Sequence, residues 1–124
     1  MSTLKTTPAF DTEALRRGIE ERDAATLRAL YADDAELTLV DRRDQPSHPL
    51  TFIGGDAIAA YQAEISSRDM EHRLERVVVD ATGEHAAFLE ACRYPDGTRV
   101  VCAAVLDLRD GRVVRQSGVQ AWDE

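Results

Sequence analysis

The stretch RVVCAAVLDLRDGRVVRQSGVQAW (99–122) reads as two strands joined at Asp110-Gly111. Two-residue Asp-Gly connections between alternating apolar runs are among the strongest hairpin signals a sequence carries. On the second arm one set of alternating side chains runs Val114, Gln116, Gly118, Gln120, Trp122. A strand that only seals a core has little use for two carboxamides and a glycine on a face ending in tryptophan. Such a face suits the wall of a pocket.

Outward from this hairpin the period of two extends back to residue 72. It predicts strands over 72–80, 85–94, 99–109 and 112–122, separated by TGE, PDGT and DG. Taking Asp96-Gly97 and Asp110-Gly111 as the turns pairs Tyr94 with Arg99 and Arg109 with Arg112. One face then carries the rows Phe88, Val105, Gln116; Glu90, Ala103, Gly118; Cys92, Val101, Gln120; and Tyr94, Arg99, Trp122. The Glu90 row sets a carboxylate beside two small side chains, which predicts a hollow. The opposite face carries Leu89, Ala91, Val100, Cys102, Ala104, Leu106, Val113, Val119 and Ala121. An apolar face of that size needs a cover, and a second copy of the chain is the expected one. The register puts Cys92 and Cys102 on opposite faces, which argues against a disulfide; free thiols suit a reducing compartment.

Upstream of residue 72 the pattern is helical. Ala14, Leu15, Gly18 and Ile19 share a face of a helix over 12–22. Asp23 is placed to cap a shorter helix bearing Leu27, Leu30 and Tyr31, which ends at the turn ADDA, with Asp33 and Asp34 as turn and cap residues. ELTLV (36–40) alternates as a strand, RRDQPSHP is a loop, and GGD opens a third helix with Ile58, Tyr61 and Ile65 on one face. Residues 1–10 read as a loose lead-in to a single domain spanning 1–124.

Composition narrows the function classes. The 124 residues are 44 % hydrophobic and 31 % charged, with no apolar run near the ~20 residues that cross a bilayer. A net charge of −8 without a basic stripe disfavours nucleic acid. The first residues lack the apolar core of a secretion signal, so the expected location is cytoplasmic. His48, His72 and His85 show no metal spacing, and no dinucleotide, Walker or nucleophile-elbow motif occurs, so neither metal nor cofactor is implied.

The order helix, helix, strand, helix and four-stranded meander, with LYADDAEL (30–37) and DGRVVR (110–115), resembles the nuclear transport factor 2-like superfamily and, within it, the SnoaL-like group. The resemblance covers roughly residues 12–123. It implies an α+β, cystatin-like fold: a cone-like, curved, mixed or antiparallel sheet wrapped around three helices of the N-terminal half. It also implies a pocket at the open end and dimerisation through the outer sheet. Relatives of that superfamily include ketosteroid isomerases, limonene-type epoxide hydrolases and polyketide cyclases. Laid without gaps around YADDA, the isomerase tyrosine falls at Leu15 and its base at Leu39. Both groups are missing, and the third position falls near Val105, with Asp107 one step along the same face. The paired aspartates and bridging arginine of the epoxide hydrolase are not evident either, although Asp107 and Arg99 share the pocket-side register.

Glu90, Asp107 and His72 are therefore the candidate catalytic residues, since a carboxylate in an apolar cavity can act as a general acid or base near neutrality. Gln116 and Gln120 are candidates for hydrogen bonding a ligand carbonyl or hydroxyl. Phe88, Ala103, Val105 and Gly118 are the expected walls, and Tyr94 and Trp122 the lids. Two readings stay open. One is a pocket protein for a small, mostly apolar molecule, with cofactor-independent isomerase, cyclase or hydrolase chemistry. The other is a non-catalytic dimerising module with a vestigial cavity.

Overall fold

A computed structural model of the chain describes residues 8–123. Helix α1 (Thr12–Glu20) starts where Asp11 accepts a hydrogen bond from the Ala14 amide at 2.9 Å. Helix α2 (Ala24–Ala29) starts where Asp23 accepts from Thr26 at 3.1 Å. Each aspartate satisfies an amide that the first helical turn leaves without a partner. α1 stops short of residue 22 because Arg22 takes a left-handed φ of 57°, which turns the chain into α2. Of the expected lead-in, residues 1–7 lie outside those described, while Phe10 is packed into the core.

The first strand is longer than its sequence pattern suggests: β1 spans Tyr31–Val40. Its ladder with the last strand breaks between Tyr31 and Glu36, and the surplus residues form an irregularity rather than a turn. Asp33 and Asp34 sit within it, correcting their reading as turn and cap residues. Arg28 donates to Asp33 at 2.7 Å and Arg109 to Asp34 at 2.9 Å. After β2 (Leu50–Ile53), Gly54 enters helix α3 (Gly55–Ser66) with a φ of 95°. The meander follows as β3 (Glu71–Val79), β4 (His85–Arg93), β5 (Arg99–Arg109) and β6 (Arg112–Trp122). The six strands form one mixed, open sheet ordered β2-β1-β6-β5-β4-β3, antiparallel except where β1 runs parallel to β6. α1 packs on β3 and α3 on β1, all three helices lying over one face.

The hairpins decide what that face contains. Between β5 and β6, Asp110 and Gly111 both have positive φ, at 52° and 77°, and Arg109 pairs with Arg112 as expected. Between β4 and β5 the connection is different. Tyr94 N–H donates to Thr98 C=O at 2.9 Å around a three-residue loop, with Gly97 left-handed at φ 92°, so Arg99 pairs with Arg93 rather than Tyr94. A one-residue slip turns every side chain of a strand over. In β5 the inward residues are consequently Val100, Cys102, Ala104 and Leu106, while Ala103 and Val105 face outward, opposite to expectation. A bulge between Asp107 and Leu108 then shifts β6 by one more residue. The two slips cancel there, so Gln116, Gly118, Gln120 and Trp122 do lie on the inner side.

The expected outer face is corrected to match. Val100, Ala104, Leu106 and Val113 are buried inside, and Cys92 and Cys102, both free thiols, share the inner face. Outward lie Leu89, Val101, Val105 and Val119 of the meander, with Ile53 and Val78 also exposed.

Candidate functional site

Two apolar clusters sit on the inner side. The larger joins the helices to the sheet around Leu15, Ile58, Leu74 and Leu106. The smaller gathers Met70, Cys92 and Val100 beneath Tyr94 and Trp122. A cavity of about 1050 Å³ is lined by parts of both, from Leu15 and Leu37 to loop residues such as Arg42 and Asp96. Its aromatic walls are ordered by contact: Phe52 stacks on Tyr61 at 4.5 Å, Tyr94 on Trp122 at 5.9 Å, and the Arg42 guanidinium lies 4.1 Å from the Trp122 ring centre.

His72 reaches this wall through a bulge in β3. Pairing starts from the turn with Val79 opposite Ala86, but shifts between Leu74 and Arg76, so that Leu74 faces Glu90 and His72 faces Cys92. Without the shift Glu75 and Arg73 would point inward; with it Leu74 is buried instead. β3 is an edge strand, and α1 serves the Leu74 backbone there. Glu20 accepts from the Leu74 amide at 2.9 Å, and Arg16 donates to its carbonyl at 3.1 Å. Hydrophobic burial at Leu74 thereby carries a histidine into the cavity wall.

Glu90 meets that histidine. Its Oε2 lies 3.0 Å from His72 Nδ1 and 3.1 Å from Cys92 Sγ, and the sulfur lies 3.4 Å from the same nitrogen. The Cys92 thiol donates to the carboxylate, and His72 Nδ1 does so in the tautomer that carries its proton there. The His72 side chain is 4 % exposed and that of Glu90 17 %. His72 Nε2 is buried with no hydrogen-bond partner among the described residues. The expectation that Glu90 stands alone beside Ala103 and Gly118 is thus corrected. Its cross-strand neighbour is Cys102, followed by Gln120. Gly118 sits instead in the row of Phe88 and Ala104, where the space it leaves is filled by Leu39.

Two tyrosines, two thiols and the Trp122 indole add proton donors to the same wall. Tyr31 is buried and donates to Gln116; burial holds its phenol far above the ordinary range, the nearby Gln62 side chain opposing the shift. Burial pushes Tyr61 up to about 12. Burial and then the Glu90 charge push Cys102 up to about 12, and the same two causes raise Cys92 further. These thiols are inert as nucleophiles near neutral pH. Trp122 donates to Gln120 at 3.1 Å.

Of the residues expected at a site, the structure brings Glu90, His72, Phe88, Tyr94, Gln116, Gly118, Gln120 and Trp122 to the cavity wall. It leaves out three. Ala103 and Val105 face outward, and Asp107, opposite Arg115 on the outer side, lies 3.1 Å from His85. Tyr31, Gln62 and Cys92 were not singled out as site residues. Cys92 was detectable from its spacing of two from Glu90; Tyr31 was masked by its apparent place in α2.

A family model described as a SnoaL-like domain matches residues 12–116. No curated protein matches the chain. Among solved structures, a nuclear transport factor 2-like protein of unknown function from Mesorhizobium loti aligns with a TM-score of 0.72 at 21 % identity, covering 89 % of each chain. An epoxide hydrolase of the LEH-like kind from M. tuberculosis aligns with a TM-score of 0.63 at 18 % identity, over 89 % of this chain and 79 % of that one. A protein with a ketosteroid isomerase-like fold from Catenulispora acidiphila, solved with trimethylamine, gives 0.63 at 16 % identity over 86 % and 82 %. At these identities the likeness is one of fold.

Proposed function

The chain belongs to the SnoaL-like domain family, and from that premise we propose that its cavity takes up a small, mostly apolar molecule and moves a proton on it through Glu90. The observation that carries this reading is the Glu90–His72 pair, 3.0 Å apart in the wall of a cavity of about 1050 Å³. That volume is at the upper end of the ~300–1,000 Å³ typical of small-molecule sites, and it weighs against a vestigial cavity. Glu90 takes a proton from a carbon or hydroxyl beside a ligand carbonyl and returns it elsewhere on the same molecule. His72 is the positioning residue that hydrogen-bonds the carboxylate. The donors around them, Tyr31 through Gln116 and Trp122 through Gln120, suit a ligand oxygen on which charge develops. This chemistry is redox-neutral and needs no co-reactant, which fits isomerisation or cyclisation; hydrolysis would add a water.

The same reading makes the protein a homodimer through the outer face of the sheet. Support comes from Val101, Val105 and Val119, exposed side by side on β5 and β6 with Leu89 beside them on β4. Sedimentation at micromolar concentration should give a dimer; a stable monomer removes this part.

Thermal-shift screening of steroids, terpenoids, aromatic polyketides and lactones in chelator-treated buffer tests the main claim. A ligand at 100 times its Kd adds about 2.7 kcal/mol to stability. Glu90→Gln should retain binding and lose turnover of any hit that is converted, by about 10²-fold or more. Turnover that ignores this substitution, or hits whose affinity is unaffected by filling the cavity, would overturn the proposal.

A further inference from the structure

The cluster around Glu90 has a second property. Three donors of different kinds, an imidazole nitrogen, a carboxylate oxygen and a sulfur, stand at mutual distances of 3.0, 3.1 and 3.4 Å. Around a tetrahedral zinc ion with bonds of ~2.0–2.3 Å, donor atoms sit roughly 3.3–3.6 Å apart. Each observed edge is within about half an ångström of that range, so small side-chain rotations open the triangle to metal dimensions. Among the described residues His72 Nε2 makes no hydrogen bond that would oppose the ring's share of this movement. All three residues line the cavity.

We propose that His72, Glu90 and Cys92 bind one divalent transition-metal ion of the zinc type, with a fourth coordination position open to the cavity. Charge supports it: a glutamate and a thiolate with a neutral imidazole balance a divalent cation, whereas each added charge alone would be costly in this apolar setting. The donor set supports it as well. Mixed nitrogen and sulfur ligation selects zinc, cobalt or copper over magnesium and calcium, which prefer oxygen. Three protein ligands with one position left over is the pattern of sites that present the ion to a ligand rather than close around it. Two of the ligands sit on β4 and one on the edge strand β3, so the ion also ties that edge to the sheet.

This inference does not rest on the proton-transfer reading. Metal and shared protons compete for the same donor atoms, so binding expels the thiol proton and withdraws Glu90 from service as a base. The proton-transfer reading accordingly belongs to the metal-free protein, and each can fail without the other.

Titration of the chelator-treated full chain with Co²⁺ decides the matter without any activity. The expected result is saturation at one ion per chain, with thiolate-to-cobalt charge-transfer absorption in the near ultraviolet and the strong visible bands of a four-coordinate ion, both abolished by equimolar Zn²⁺. Cys92→Ser should remove the charge-transfer band, and Cys92→Ser and His72→Gln should each weaken binding by more than the roughly tenfold that loss of an outer contact costs. Cys102→Ser, on the neighbouring strand, should leave spectrum and affinity intact. Weak six-coordinate bands without charge transfer in the unmodified protein would overturn the proposal. So would equal losses from the two serine variants. If either ligand variant fails to fold, the spectrum of the unmodified protein and of Cys102→Ser still decide for or against.

Discussion

The two faces of the meander are built from the same strands and do opposite things. Val105 and Leu106 are consecutive in β5, yet Val105 is 59 % exposed and Leu106 is 0 % exposed. Inward, the period of two collects the core, the cavity and the polar cluster around Glu90. Outward, it collects a patch of valines with the His85–Asp107 pair near its border. The lesson is that polarity alone does not separate the faces of this sheet. The inner side carries a glutamate, a histidine and two glutamines, while the outer side carries the exposed hydrophobic surface.

Truncation of two adjacent residues offers the strongest test of that division. Leu106→Ala should lose about 3 kcal/mol of stability in urea unfolding, from lost burial plus the cavity left behind. Val105→Ala should stay within about 0.5 kcal/mol when unfolding is measured on the monomer. Equal losses would erase the distinction between the faces. Val105→Asp should act on association instead, weakening a dimer by about tenfold or more while sparing the monomer fold.

A smaller effect is expected from small-to-large changes on the two faces. A Cβ added at Gly118 would sit 3.3 Å from Leu39 Cδ1, so Leu39 must give way by a few tenths of an ångström. Gly118→Ala should cost about 1 kcal/mol by overpacking. Ala103→Val, on the exposed outer side of β5, should change stability by less than about 0.5 kcal/mol, as measured by the same unfolding curves.

Elements were far more legible in the sequence than faces were. Asp23, the Asp-Gly turns and the change of period at residue 72 all act locally and place the element ends beside them to within a residue or two, whereas β1 begins five residues ahead of the expected ELTLV strand. Which way a strand's side chains point depends on the sum of every turn and bulge before it. Pro95-Asp96-Gly97 makes a three-residue loop where Asp110-Gly111 makes a two-residue turn, and nothing in the dipeptide itself distinguishes them. That one residue moved Ala103 and Val105 out of the site and Cys102 into it. The bulge beside Asp107 restored Gln116 and Gln120, so part of the site was read correctly by compensation. The β3 bulge did leave a trace: Leu74 and Val77 are three apart, which breaks the strand period at the point where His72 turns inward. Spacing along the chain puts Glu90 and Cys92 on one face, but it could not add His72 to them, because strand pairing brings together residues twenty positions apart.

The least of the expected effects sits at the loop that sets these faces. Asp96 Oδ1 accepts from the Thr98 amide at 2.8 Å, and that backbone hydrogen bond, followed by one from the Thr98 side chain, holds the Asp96 carboxyl below its ordinary value of 3.8. A carboxyl lowered on folding contributes stability that is fully present above its unfolded value and lost as pH falls through its folded one. The loop should therefore be held at neutral pH and relax below about pH 3.8, as the proton removes the charge that strengthens the acceptor. Asp96→Asn keeps an acceptor of the same shape but has no charge to lose. Thermal melts from about pH 6 to about pH 2 should show the native protein more stable at the upper end and the gap closing at the lower. A gap that is constant with pH would mean that the Asp96 charge plays no part in holding the three-residue loop. The register of β5, and with it the assignment of Cys102 rather than Ala103 to the inner face, would then owe its stability to side-chain burial at Val100, Ala104 and Leu106 alone.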